Sequence, residues 1–99
     1  KSILLSPDFA EPYNNLGVAL AKINKLEDAH SAFLGAVRLR PDWSNALYNL
    51  AISHIGRGER DLAKDRLDSL TNYDSGLAEK GRQILWQKYV VNVSSFKEN

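Results

Sequence analysis

A stretch of thirteen residues recurs in this chain with substitutions. LSPDFAEPYNNLG, from Leu5 to Gly17, returns 34 residues later as LRPDWSNALYNLA, from Leu39 to Ala51. An internal repeat with an interval of roughly 20–50 residues is typical of proteins that stack one small structural unit on the next. The period therefore constrains the fold more than any other feature, and it predicts a chain of stacked repeats.

Within one period the apolar residues recur at helical spacing. They form two groups, which are Tyr13, Leu16, Gly17 and Leu20, and then Ala29, Phe33, Ala36 and Val37. Steps of three and four residues place each group on one face of a helix. A break at residues 23–25 separates the groups. We predict a helix over about residues 10–22, a tight turn, and a second helix over about residues 27–40.

Local signals support these bounds and predict how the two helices meet. Asp8 is placed to cap the first helix, and Pro41 disfavours helix at the residue before it. Gly17 lies inside the first helix, where glycine costs about 1 kcal/mol relative to alanine. We interpret it as a point of close approach to Ala29, with Phe33 filling the space toward the next hairpin.

These residues resemble the tetratricopeptide repeat (TPR), a helix–turn–helix unit of about 34 residues. The matching positions are Tyr13, Leu16, Gly17, Leu20, Asn24, Leu26, Ala29, Phe33, Ala36 and Pro41. Asn24 stands where glycine is frequent in the turn, and asparagine tolerates the left-handed conformation. The resemblance implies an all-α superhelix, a solenoid of antiparallel helix hairpins, with about two full repeats and flanking helices.

We divide residues 1–99 as a single TPR domain fragment. Residues 1–6 are expected to be the tail of a preceding helix, and residues 8–41 and 42–75 the two repeats. Residues 76–92 are expected to form a degenerate third unit or a capping helix, with a tail at 93–99. The second repeat matches the family less well, because His54, Arg60 and Ser75 replace its usual residues. The chain starts with Lys1, and we expect it to be part of a longer protein.

The composition narrows the classes of function. The chain carries 13 basic and 12 acidic residues among 99, which argues against a dedicated nucleic-acid surface. It contains no cysteine, and no apolar run approaches the length of a membrane span. We therefore expect no nucleic acid as partner and no insertion of this fragment into a membrane. A cytoplasmic location is the default expectation.

No arrangement of residues in the sequence indicates catalysis. His30 is expected on the exposed side of its helix, and His54 in a packed, semi-buried position. Asp61, Asp65 and Asp68 alternate with basic residues and are interpreted as a solvated face with ion pairs rather than a metal site. We predict no enzyme activity, no catalytic residues, no metal site and no cofactor.

The TPR resemblance implies that the first helix of each repeat lines a concave groove where partner segments bind. Helical projection assigns ten residues to this partner-binding groove: Asn14, Asn15, Val18, Asn45, Tyr48, Asn49, Ile52, Arg82, Gln83 and Trp86. Val18, Ile52 and Trp86 form an apolar row in this groove. The alternative is that the row packs between neighbouring helices, and we favour that alternative for Trp86. The side-chain amides of Asn15, Asn49 and Gln83 form a second row, suited to bonding an extended peptide backbone.

The last predicted helix is apolar on more than one side. Ile84 and Leu85 are expected to face inward, while Trp86, Tyr89, Val90 and Val93 form a second stripe. A helix that is apolar on several sides is normally buried. The chain's tail, a further repeat, a ligand segment or a second copy would cover this stripe, and we hypothesise partner binding or self-association into a homo-oligomer there.

The first functional interpretation is a non-catalytic scaffold that binds a protein or peptide through the concave groove or the C-terminal helix. The alternative is a substrate-recognition or regulatory TPR arm of a larger multidomain enzyme. The sequence does not identify the partner, since a repeat fold is a platform and function lies in its surface.

Overall fold

The computed structural model describes residues 9–88, which form five α-helices. They are α1 (Ala10–Lys22), α2 (Leu26–Leu39), α3 (Ser44–Gly56), α4 (Arg60–Thr71) and α5 (Ser75–Trp86). α1 and α2 form one hairpin, and α3 and α4 form the next. α2 also contacts α3, α4 contacts α5, and α3 contacts α5. The all-α fold of stacked helix hairpins is confirmed, while the repeat boundaries themselves stay predictions.

The two turns inside the hairpins have the same backbone geometry at equivalent positions of the period. Asn24 has φ 66° and Gly58, 34 residues later, has φ 80°. In each turn the next residue donates a 2.9 Å backbone bond to a carbonyl four positions before the left-handed residue, Lys25 to Leu20 and Glu59 to His54. The left-handed conformation predicted for Asn24 is therefore confirmed.

The fifth helix begins earlier than the sequence indicated. We expected the third unit or capping helix over residues 76–92, but α5 starts at Ser75, where the Asp74 side chain accepts a 3.0 Å hydrogen bond from the backbone N–H of Leu77. Such a bond satisfies one of the unpaired N–H groups of the first turn. The capping role predicted for Asp8 lies outside the described residues.

The core runs between the two layers of helices. Leu50, Leu67 and Leu70 are fully buried, and small alanines surround them. Gly17 makes the close approach expected of it, but its neighbour differs from our prediction. A Cβ on Gly17 would lie 2.5 Å from Phe33 Cε1, so the aromatic ring of α2, rather than Ala29, occupies the space that the missing side chain leaves.

Candidate functional site

A cavity of about 410 Å³ opens between α1, α2 and α3. Its wall is mostly apolar, and a few polar side chains stand among the lining residues. The lining consists of Val18, Ala21, Lys22, Leu26, Ala29, Phe33, Asn49, Ile52, Ser53 and Gly56. An apolar cavity with few polar groups is the usual form of a ligand-binding site.

The structure brings two members of the predicted apolar row together. Val18 on α1 and Ile52 on α3 are both half-buried and line this cavity. Trp86, the third member, lies elsewhere, beside Arg82 and Gln83 on α5. It is 56 % exposed within the described residues, so the packing role that we favoured for it is not observed there.

The amide side chains are arranged differently from the predicted row. Asn49 Nδ2 donates a 2.9 Å hydrogen bond to Asn14 Oδ1, which joins α3 to α1. Asn14 is only 7 % exposed, so the structure buries a residue that we had placed on the open side of the groove. Asn15, Asn45 and Gln83 are exposed.

Two further groove residues are engaged with the protein itself. Tyr48 is half-buried and packs against the core cluster. The Arg82 guanidinium donates through Nη2 to Thr71 Oγ1 at 2.6 Å and lies 3.4 Å from Asp68 Oδ1, so it links α5 to α4. The predicted groove residues on α5 thus lie apart from the cavity between α1, α2 and α3.

A polar cluster lies next to the cavity. The rings of His30 and His54 meet edge to face with their centroids 4.8 Å apart, and His30 Nδ1 lies 2.8 Å from Ser53 Oγ. His30 is therefore half-buried at the boundary of α2 and α3, which corrects our expectation of an exposed side chain. His54 is buried, as expected for a packed position.

Neighbouring side chains contact both ring nitrogens of His54. Arg66 Nε lies 3.4 Å from His54 Nε2, and His54 Nδ1 lies 2.9 Å from Glu59 Oε1. An arginine N–H only donates, so Nε2 faces the Arg66 donor while Nδ1 faces the Glu59 carboxylate, which accepts. Both ring nitrogens of His54 thus have a partner within this cluster.

Arg57 binds the carboxylate of Glu59 in this cluster. Arg57 donates to Glu59 Oε1 at 2.9 Å and to Glu59 Oε2 at 3.1 Å, and it also binds Glu27. The ligand atoms of His30, His54 and Glu59 lie within 4.8 Å of one another, a grouping that a metal ion could use. Arg57 bonds both carboxylate oxygens of Glu59, and both ring nitrogens of His54 have partners, so the cluster is organised as a structural network.

The network shifts two pKa values in predictable directions. Hydrogen bonds from Arg57, and then from His54, lower the pKa of Glu59 to about 2. Burial lowers the pKa of His30, and the nearby charge of Arg57 adds to this effect. Both shifts favour a carboxylate and a neutral imidazole in the folded chain.

The apolar stripe predicted for the last helix is only partly described. Trp86 is exposed, and Tyr89, Val90 and Val93 lie outside the described residues. Ile84, which we expected to face inward, is 36 % exposed, whereas Leu85 packs against the core cluster. Self-association through this helix stays a prediction.

The sequence analysis missed an apolar stripe at the other end of the described residues. Tyr13 and Leu16 on α1 are 39 % and 50 % exposed, whereas Leu47 and Leu50, at the equivalent positions of α3, are 3 % and 0 % exposed. α2 contacts α3, and no described helix takes the equivalent place beside α1. Leu16 is therefore left half exposed, and α2 does not bury it.

The chain is similar in sequence to known proteins. The chain is 34% identical over 74 residues to a peroxisomal targeting signal receptor of Eremothecium gossypii, a match that covers 74% of the chain and 13% of the relative. It is 39% identical over 71 residues to the receptor of the same name in Candida albicans, covering 71% of the chain and 12% of the relative. The human protein O-mannosyl-transferase TMTC3 is 40% identical over 55 residues, covering 56% of the chain and 6% of that protein.

The fold and the relatives together define the class. The chain is an all-α repeat protein built from stacked helical hairpins. It belongs to the tetratricopeptide-repeat family. No protein-family model matches it. The chain spans about an eighth of the length of the receptors that it matches.

Among residues 9–88, no helix combines the length and the apolar character that crossing a membrane requires.

Proposed function

We propose that this chain is a non-catalytic interaction module that binds a segment of a partner protein in the groove formed by α1 and α3. The observation that carries the proposal is the apolar cavity between α1, α2 and α3, where Val18 and Ile52 meet from consecutive hairpins. Helices of two consecutive hairpins contribute to one binding surface, so the surface exists only when the hairpins are stacked.

The relatives support a role in protein binding. Receptors for a targeting signal match more than two thirds of the chain in Eremothecium gossypii and Candida albicans. Because a receptor recognises its signal by contact, the matched helices are suited to holding a segment of another molecule. A partner that carries such a signal is one form of this proposal.

A second candidate is an interaction arm of a larger enzyme. The human relative named as a protein O-mannosyl-transferase is 40% identical over its matched residues. In that case the groove would hold a substrate or a regulatory protein, while another part of the protein would carry the chemistry. The groove and its test are the same under both candidates.

The proposal is tested with a displayed library of random twelve-residue peptides, selected on the immobilised 99-residue chain. The affinities of selected peptides are then measured by fluorescence anisotropy for the wild type, for Asn45→Ala/Tyr48→Ala in the groove, and for Leu62→Ala. Leu62 is an exposed apolar residue of α4 and serves as the matched control. We expect weaker binding in the groove variant alone. Equal affinity of the selected peptides for all three proteins would contradict the proposed function.

A further inference from the structure

The cavity has one charged residue in its lining. Lys22 closes its edge at the end of α1, while Val18, Phe33 and Ile52 form the apolar wall. Among residues 9–88, Lys22 has no carboxylate within ion-pair distance, in contrast to Arg57, which is held by Glu27 and Glu59. The edge of the cavity is therefore positively charged and open to an incoming carboxylate.

One polar side chain of the cavity, Asn49, keeps an acceptor atom available. Asn49 lines the cavity, and its Nδ2 is used by Asn14. Within the described residues, Asn49 Oδ1 has no hydrogen-bond donor, and a side-chain amide oxygen accepts up to two bonds. A peptide backbone N–H is the matching donor, since every residue except proline supplies one.

The cavity is large enough to take a bulky side chain. Its volume of about 410 Å³ is near the lower end of the range for small-molecule sites, which is roughly 300–1,000 Å³. The wall contributed by Val18, Phe33 and Ile52 offers only apolar contact. A branched aliphatic or aromatic side chain gains most from leaving water at such a place.

We propose that the cavity takes one bulky apolar side chain of a bound peptide, and that Lys22 selects peptides with a carboxylate next to that side chain. This inference rests on the proposed function and specifies the chemistry of the partner. Asn49 Oδ1 accepts a backbone N–H of the peptide and sets its register. The apolar side chain supplies contact area, and the carboxylate at the rim supplies specificity.

The probe is the peptide set selected on the wild-type chain from the displayed twelve-residue library. We expect its sequences to share a Leu, Ile, Phe or Trp residue with Asp or Glu at a neighbouring position. Ile52→Asp should weaken binding at least about tenfold, because a charge then faces the apolar side chain. Circular dichroism establishes that the variant is folded.

Lys22→Glu provides a second test that does not disturb the core, since Lys22 is exposed. It should weaken the acidic peptides by about three- to tenfold at low salt and shift a new selection toward peptides with Lys or Arg beside the apolar residue. Lys80→Glu, an exposed change of the same charge on α5, is the control and should leave both affinity and selected sequences unchanged.

The outcomes separate this inference from the proposed function. Selected peptides that depend on Asn45 and Tyr48 but are indifferent to Ile52→Asp and Lys22→Glu would overturn the inference and leave the groove function standing. Peptides indifferent to every groove variant, or no enrichment by the wild type at all, would overturn both. A new selection on Lys22→Glu that again yields acidic peptides would also overturn the inference.

Discussion

Asn49 Nδ2 donates a 2.9 Å hydrogen bond to Asn14 Oδ1 and so connects α3 to α1. The two residues are 35 positions apart, one more than the repeat period. The bond therefore joins unlike positions of consecutive hairpins rather than equivalent ones. It links α3 to α1, and within the described residues it leaves Asn49 Oδ1 without a hydrogen-bond donor.

Removing one amide of this pair should cost more than removing both. Asn49→Ala leaves the buried Asn14 oxygen without its donor, a loss of about 1–3 kcal/mol in the free energy of unfolding. Asn14→Ala/Asn49→Ala removes the unpaired group as well. Urea unfolding of the two single variants and the double variant gives the coupling energy. Strict additivity would show that the bond contributes nothing to stability.

Gly17→Ala should destabilise the fold. The added methyl group would lie 2.5 Å from Phe33 Cε1, and overpacking of this kind costs about 1–3 kcal/mol. The helix preference of alanine returns about 1 kcal/mol of that. Gly56→Ala is the matched control at the end of α3, because nothing lies within 4 Å of its added Cβ.

Thermal or urea unfolding measures the loss of stability in Gly17→Ala, and it also tests whether the contact with Phe33 is the cause. Phe33→Leu in the Gly17→Ala background should recover part of the stability, because the smaller side chain makes room for the methyl group. The structure itself supports this exchange, since the second hairpin has Ala51 and Leu67 at the equivalent positions, and both are fully buried. A Gly17→Ala protein as stable as the wild type would contradict the close approach.

His30 should make the fold less stable in mild acid. Its lowered pKa means that the folded chain binds fewer protons at this site than the unfolded chain. The free energy of unfolding should therefore fall as the pH drops below 6.5, the ordinary pKa of a histidine side chain. Burial, Arg57 and His54 oppose the charged form, while Glu59 and Glu27 favour it.

The measurement is a series of urea unfolding curves between about pH 7.5 and about pH 5, compared with His30→Gln. The variant should show a smaller decline over this range, since it has no proton to take up at that position. Equal declines in the two proteins would assign the pH dependence to other groups.

Glu59 should act at lower pH and in the same direction. Its pKa of about 2 lies below the ordinary glutamate value of 4.5, so the carboxylate stabilises the fold above pH 4.5, and this contribution is lost as the pH falls toward 2. Glu59→Gln should be less stable than the wild type at neutral pH and should lose less between these two values. Glu11→Gln, at an exposed residue of α1, is the control.

The sequence predicted the elements of this fold well because their signals are local. The bounds of α1 and the left-handed Asn24 follow from spacing and turn chemistry within a few residues. The errors concern which neighbour covers a given face. Gly17 is buried against Phe33 of α2, whereas Leu16, the residue before it on the same helix, is 50 % exposed.

The lining of the cavity was only partly predictable for the same reason. The period associated Val18 with Ile52, which both line the cavity, because equivalent positions repeat along the stack. It gave no indication that Asn14 pairs with Asn49 or that His30 meets Ser53, since those contacts depend on the rotation of one hairpin against the next. The cavity wall contributed by Leu26 and Phe33 belongs to α2, which the projection of first helices had omitted.

The most direct test of the groove is an NMR titration of the isotopically labelled 99-residue chain with a peptide selected on it. The account predicts that the largest chemical-shift changes fall on the amides of Val18, Lys22, Asn49 and Ile52, with small changes at Lys64 and Asp68 on the exposed side of α4. Largest changes on α4, with those four signals unmoved, would contradict it.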